Sequence, residues 1–261
     1  MSHFVSLPDF DTRLTKSVHP PARPSLLVHP LLSYYDVLFA ALGPQYWWPG
    51  RTSFEVIVGA ILTQNTSWPN VERAIVNLRR EKLLRPVGLE RVSTAKLARC
   101  IRPSGYFRQK ARKLKAFVRF LRKEFGGSLA RMFRTPTAEL RERLLGIYGI
   151  GPETADSILL YAGAHPVFVV DAYTRRILER HGQALPRDPY EQLRAQFERH
   201  LPRRVPLYNE YHALIVRTGK DWCRKTNPRC AVCPLRSFLP QPGATRILSP
   251  ARAGKRAVGA S

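Results

Sequence analysis

The stretch Leu144-Leu145-Gly146-Ile147-Tyr148-Gly149-Ile150-Gly151-Pro152-Glu153-Thr154-Ala155-Asp156 decides how the chain folds. Apolar residues at helical spacing run into Gly149-Ile150-Gly151, and Pro152 suits the first turn of a second helix, where a missing N–H costs nothing. Two glycines around one aliphatic residue permit positive φ and the close approach of another backbone. Ile150 is expected to pack between the two helices. The free amides at the start of the second helix point outward and attract an anion. An ordinary αα-hairpin with a glycine turn carries the same residues, so the partner must be sought in the rest of the chain.

The charge balance supplies it. The 261 residues hold 43 basic and 19 acidic side chains, a net charge of +24 and a pI near 10.8, with 44% hydrophobic residues. That apolar content is ordinary for a folded protein, so the excess charge sits on a globular body. A nucleic acid, an acidic membrane surface or an acidic protein could answer it, and nucleic acid is the first choice. With this charge, Gly149, Ile150 and Gly151 read as a helix-hairpin-helix clamp on the DNA backbone, indifferent to sequence. The chain lacks 18 consecutive apolar residues and an N-terminal apolar segment, which predicts a cytoplasmic, DNA-associated monomer with no membrane span and no secretion. Four cysteines do not make a disulfide scaffold.

Helical periodicity predicts an all-α fold. Thr52-Ser53-Phe54-Glu55 is a capping box, followed by Phe54, Ile57, Val58, Ile61 and Leu62 at helical spacing. Trp68-Pro69 ends that segment, and Asn70 opens the next, through Leu78. Lys110 to Phe125 alternates basic and apolar faces and stops at Gly126-Gly127. Thr135-Pro136 places Pro at a first helical position, and Tyr190–His200 and Tyr208–Gly219 complete the helices. Val167 to Val170 is the one strand-like run. Residues 1–26 read as a flexible arm and 240–261 as a flexible basic tail. A six-helix domain is expected over 50–163, with 27–49 plus 164–239 forming a second domain and DNA in the cleft between them.

Val169-Val170-Asp171-Ala172-Tyr173-Thr174-Arg175-Arg176 puts an acid after an apolar run, where a helix N-cap is its ordinary role. Taken with Gly149-Ile150-Gly151 and the upstream Leu62-Thr63-Gln64-Asn65-Thr66, it resembles the helix-hairpin-helix DNA glycosylases of the endonuclease III superfamily, over roughly residues 30–238. The resemblance implies base-excision repair of double-stranded DNA. It makes Asp171 the catalytic carboxylate, which would stabilise positive charge on the sugar as the N-glycosidic bond breaks. The damaged base must leave the stack, and Gln64 matches the residue that fills the gap. Bifunctional members carry a Lys two residues after the second hairpin glycine. Here that position holds Glu153, which cannot form an imine and implies a glycosylase without lyase activity.

Gln45-Tyr46-Trp47-Trp48-Pro49-Gly50, Trp68 and Cys100-Ile101-Arg102-Pro103-Ser104-Gly105-Tyr106 resemble more closely the 3-methyladenine glycosylases of the third type. By that resemblance Trp47, Trp48, Pro49, Trp68 and Lys220 line the base pocket. An alkylated purine is electron-poor and stacks well on such rings. Two other readings stand beside this one: an endonuclease III-like enzyme for oxidised pyrimidines, and a non-enzymatic DNA-binding protein. Cys223, Cys230 and Cys233 repeat the spacing of a 4Fe–4S loop, but its fourth position is Leu239. A cluster with three Cys ligands, free thiols without a cluster, and zinc with an outside His are the readings left open.

Overall fold

The computed structural model describes residues 29–240, and the expected arm and most of the expected tail lie outside them. These residues form α-helices joined by short turns, with no β-strand among them. In chain order the helices are α1 (Pro30–Leu42), α2 (Ser53–Leu62), α3 (Trp68–Arg80), α4 (Pro86–Arg91), α5 (Thr94–Cys100), α6 (Phe107–Phe125), α7 (Leu129–Met132), α8 (Thr137–Leu145), α9 (Pro152–Ser157), α10 (Ala172–Arg180), α11 (Tyr190–His200) and α12 (Val205–Asp221). A π-helical turn, Ile158–Ala162, extends α9. Among the described residues no helix is long and apolar enough to cross a membrane.

Local chemistry explains most boundaries. Thr52 accepts a hydrogen bond from Glu55 N at 3.1 Å and starts α2. Gly126, with φ 61°, ends α6. Pro69 does not break the chain as expected, because α3 begins at Trp68 and takes the proline into its first turn. Pro136 is itself the N-cap, and α8 starts one residue later. The 167–170 run is extended and buried but pairs with no strand. Two of its amides are met by side chains: Phe168 N donates to Glu198 at 3.0 Å and Val170 N to the Tyr190 hydroxyl at 3.4 Å, while Val167 N donates to the His165 carbonyl at 2.9 Å.

Burial divides into two clusters. One is built from α2 to α9 around Ile57, Leu62, Leu78, Leu114, Phe117 and Leu144. The other gathers α1, the 168–170 run, α10, α11 and α12 around Leu31, Phe168, Phe197, Tyr208 and Tyr211. Two polar anchors position the ends that matter here. Lys110, almost fully buried, donates to the Leu62 carbonyl at 2.9 Å and the Ser104 carbonyl at 2.6 Å, closing the C-terminus of α2. Asp156 has no exposed side-chain surface and joins the clusters: Arg141 grips it at 2.6 and 3.1 Å, and Tyr190 donates to it at 2.8 Å.

Breaking a buried pair from one side strands a charge, so Arg141→Met should lower unfolding stability by about 3–5 kcal/mol in urea titrations. The triple change Arg141→Met, Asp156→Leu, Tyr190→Phe should recover most of that loss. Equal instability of the two variants would show that the network contributes through packing alone.

Candidate functional site

Asp171 lies where the extended run meets α10, and it is the N-cap of that helix. Its Oδ1 accepts from Thr174 N at 2.8 Å and from the Thr174 hydroxyl at 3.0 Å. Oδ2 is turned toward a cavity of about 220 Å³ lined by both hydrophobic clusters. An outer groove, shared by Thr63, Glu153, Asp171 and Lys220, continues past Arg176, Arg224 and Lys225. A carboxylate at the mouth of a basic groove is the arrangement an anionic polymer with a cationic transition state would need.

The aromatic wall comes from the loop before α2. Gln45 N donates to Glu210 at 2.7 Å, and Arg217 donates to the Leu42 carbonyl and to Gln45, both at 3.2 Å, so α12 holds this loop. Trp48 then packs edge-on against Trp47 and Trp68, with centroids 5.4 and 5.2 Å away, and against Tyr161 at 5.1 Å. Gly59 lets the Trp48 indole lie on α2, because a Cβ there would come within 3.3 Å of the ring. Trp47, Trp48, Trp68 and Lys220 line the cavity, and the Lys220 amine sits 5.8 Å from the centre of the Trp47 ring. Pro49 does not join them: it lines a separate depression behind Trp48, facing Glu72 and Arg79.

The hairpin forms the opposite edge. Gly149 has φ 79°, and a Cβ on it would collide with the Lys113 side chain. Gly151 departs from expectation, because it is extended at φ −95° with open space where a Cβ would go. Its need for glycine is therefore access to its backbone rather than backbone strain. Ile150 is buried between the helices. Gln64 is fastened to this hairpin: its amide donates to Gly149 O at 3.0 Å and to Thr154 Oγ1 at 2.9 Å, while Lys113 donates to its oxygen.

Glu153 lines both the cavity and the groove. Desolvation by the surrounding wall, and then the charge of Asp171, push its carboxyl up to about 7. The residue as a whole is exposed, so water still reaches it from outside. Two further residues face Asp171 that the motifs did not single out. His212 is buried, its Nε2 lies 3.7 Å from Asp171 Oδ2, and its Nδ1 meets the Tyr161 hydroxyl. Burial lowers the His212 pKa against the pull of Asp171, and burial followed by Asp171 raises that of Tyr161 well above the ordinary phenol. Helical arithmetic would have found His212: it precedes Val216 by four residues and Lys220 by eight, on one face of α12.

The expectation of a metal at the cysteines is corrected. Cys223, Cys230 and Cys233 border a void of about 10 Å³, scarcely the room of one water. The Arg180 guanidinium donates to Cys223 Sγ at 3.3 Å, and Leu239 closes the fourth side. Burial also raises the Cys233 thiol, which opposes the thiolate that a metal requires. Among the described residues no group of three or more His, Cys, Asp or Glu side chains is placed to hold a metal ion. Neither the iron–sulfur reading nor the zinc reading stands, and the cysteines are free thiols.

Residues 58–203, more than half of the chain, match the family described as HhH-GPD superfamily base excision DNA repair protein. The protein named "Putative DNA repair glycosylase MJ1434" of Methanocaldococcus jannaschii is 47% identical, over 78% of this chain and 93% of its own length. Endonuclease III of Thermotoga maritima is 30% identical, over 70% of this chain and 81% of its own. Among solved structures, the H. pylori 3-methyladenine DNA glycosylase (MagIII) bound to 1,N6-ethenoadenine is 32% identical, covers 73% of this chain and 94% of its own, and superposes with a TM-score of 0.63.

The unequal hairpin glycines give a test. Gly149→Val should cost about 1–3 kcal/mol of stability through its positive φ and the clash with Lys113. Gly151→Val should leave the unfolding midpoint nearly unchanged and weaken binding to every duplex sequence alike. Unaltered duplex binding by the second variant would remove the hairpin from the interface.

Proposed function

Because the chain belongs to the HhH-GPD superfamily of base excision DNA repair proteins, we propose that it takes a damaged base out of duplex DNA into the aromatic cavity and hydrolyses its N-glycosidic bond without cutting the strand. The observation that carries this is the pair of carboxyls at the cavity mouth, with Glu153 standing where a lyase would need an amine. Breaking the C1′–N bond leaves positive charge on the sugar, and the Asp171 carboxylate is the group that answers it. Water must then attack C1′. A carboxyl with a pKa near the working pH is well suited to take its proton, and Glu153 supplies one. Gly149, Ile150 and Gly151 would grip the backbone, Gln64 would fill the vacated position, and Trp47, Trp48, Trp68 and Lys220 would enclose the base. Pro49 contributes only by backing Trp48.

The damaged base itself divides the reading. The likeness to Endonuclease III of Thermotoga maritima weighs toward the endonuclease III-like alternative, the reading that takes oxidised pyrimidines. The tryptophan wall favours an electron-poor alkylated purine, and the H. pylori enzyme that is 32% identical to this chain is a 3-methyladenine DNA glycosylase. Duplexes carrying one lesion of either class, incubated with and without alkali, separate the two. Release should need alkali to reveal a break, and borohydride should trap no covalent adduct. A trapped adduct would overturn the hydrolytic reading.

Asparagine caps a helix as well as aspartate does. Asp171→Asn should therefore fold normally and bind DNA, while excision falls by about 10²–10³-fold. Excision within tenfold of the wild type would reduce Asp171 to a helix cap. For Glu153 the sign follows from its role as a base: the rate should rise as pH passes about 7 and then level off. Glu153→Gln should erase that limb and lower the plateau by about 10²-fold or more. A rate that falls with pH through the same range would make Glu153 an acid instead.

A further inference from the structure

Lys113, on α6, touches both the hairpin turn and the side chain proposed to fill the gap. Its stem runs beneath the turn: a Cβ on Gly149 would fall within 2.6 Å of the Lys113 Cγ, Cδ and Cε. The amine, one bond further on, donates to Gln64 Oε1. That oxygen is held in place, because the Gln64 amide nitrogen is fixed to Gly149 O at 3.0 Å and to Thr154 Oγ1 at 2.9 Å. Among the described residues this neutral oxygen is the amine's one acceptor, and no carboxylate pairs with it. Burial therefore lowers the Lys113 pKa with no opposite charge to offset it. Lys110 lies close enough to add repulsion, and is itself bonded to the Leu62 and Ser104 carbonyls. Lys113 is only half-buried, so the anion it lacks can come from outside the protein.

We propose that Lys113 exchanges Gln64 for a DNA phosphate: on intact duplex its amine stays on the Gln64 oxygen, and when Gln64 enters a vacated position the freed amine takes a phosphate at the hairpin. The inference rests on the base-excision reading and gives its gap-filling residue a partner. Only acceptors change, and no proton moves. Once Gln64 leaves, the ammonium has no acceptor beside the hairpin, and an unpaired charge in a half-buried place is costly. The nearest anion is then the phosphate gripped at Gly149 to Gly151, a turn the lysine stem already touches. An ammonium–phosphate contact is charge-assisted and stronger than the ammonium–amide contact it replaces. The grip on the backbone thus tightens only where a base has left the stack. Lys113 does not line the cavity, so it is a positioning residue. A lysine that merely propped Gly149 would do so equally well without its charge.

The test measures the affinity of the full chain against salt, on an intact duplex and on one with a central abasic-site analogue. Each neutralised phosphate adds about 0.9 to the slope of log K against log salt. Lys113→Met keeps the stem beneath Gly149 and removes the charge. It should make the abasic-site slope shallower by about 0.9 and leave the intact-duplex slope unchanged. Lys113→Arg keeps the charge and should preserve both slopes. Gln64→Ala frees the amine on every duplex, so the intact-duplex slope should steepen by about 0.9, and adding Lys113→Met should cancel that increase. An abasic-site slope unmoved by Lys113→Met, or an equal loss on both duplexes, would overturn the proposal. So would an intact-duplex slope indifferent to Gln64→Ala. A wild type that binds both duplexes equally and excises no lesion would instead bring down the base-excision reading on which the proposal stands.

Discussion

Oδ1 of Asp171 closes the first turn of α10, and that bond decides where Oδ2 can go. The carboxyl cannot rotate without uncapping the helix, so its second oxygen is held toward the cavity by ordinary helix chemistry. The cap in turn depends on how the chain arrives. The 167–170 run is buried, and two of its amides are secured by Glu198 and Tyr190. Tyr190 also donates to Asp156, which Arg141 holds from α8. The position of one carboxylate is thus tied by successive polar contacts to the packing of both helical clusters.

The parts of this arrangement that could be read from residues alone are those with local causes. Gly149-Ile150-Gly151 before a proline, and an acid before a helix, declare themselves over a few positions, and the all-α fold follows from apolar spacing. The tryptophans could be placed in a pocket by resemblance, and three of them do line one cavity. Pro49 could not be sorted from its neighbours, because successive residues of an extended loop face different ways. Of the two reasons read into the glycines, positive φ and close approach, only the second holds at Gly151. Its φ is ordinary, and the space before it is what matters.

The cysteines show the opposite failure. Their spacing along the chain is that of a metal loop, but spacing says nothing of what enters from elsewhere. Arg180 comes from α10 and reaches Cys223, while the void between the thiols is too small for a cluster. The pairing of Tyr161 with His212 was hidden for a related reason, although His212 by itself shares a helical face with Lys220. Tyr161 and His212 are 51 positions apart, neither belongs to a motif, and only the meeting of α12 with the π-helical turn brings them together. Contacts of that kind depend on tertiary packing, which no local pattern encodes.

Gln64 is bound at both ends of its amide, to the hairpin carbonyl, to Thr154 and to Lys113. Each such bond contributes about 1 kcal/mol, so its release from the hairpin is a threshold event rather than a gradual drift. Under the proposed reading, in which Gln64 fills the position that a flipped base vacates, the side chain must first give up these three bonds, so intact duplex would meet it parked and only a site soft enough to repay them would draw it in.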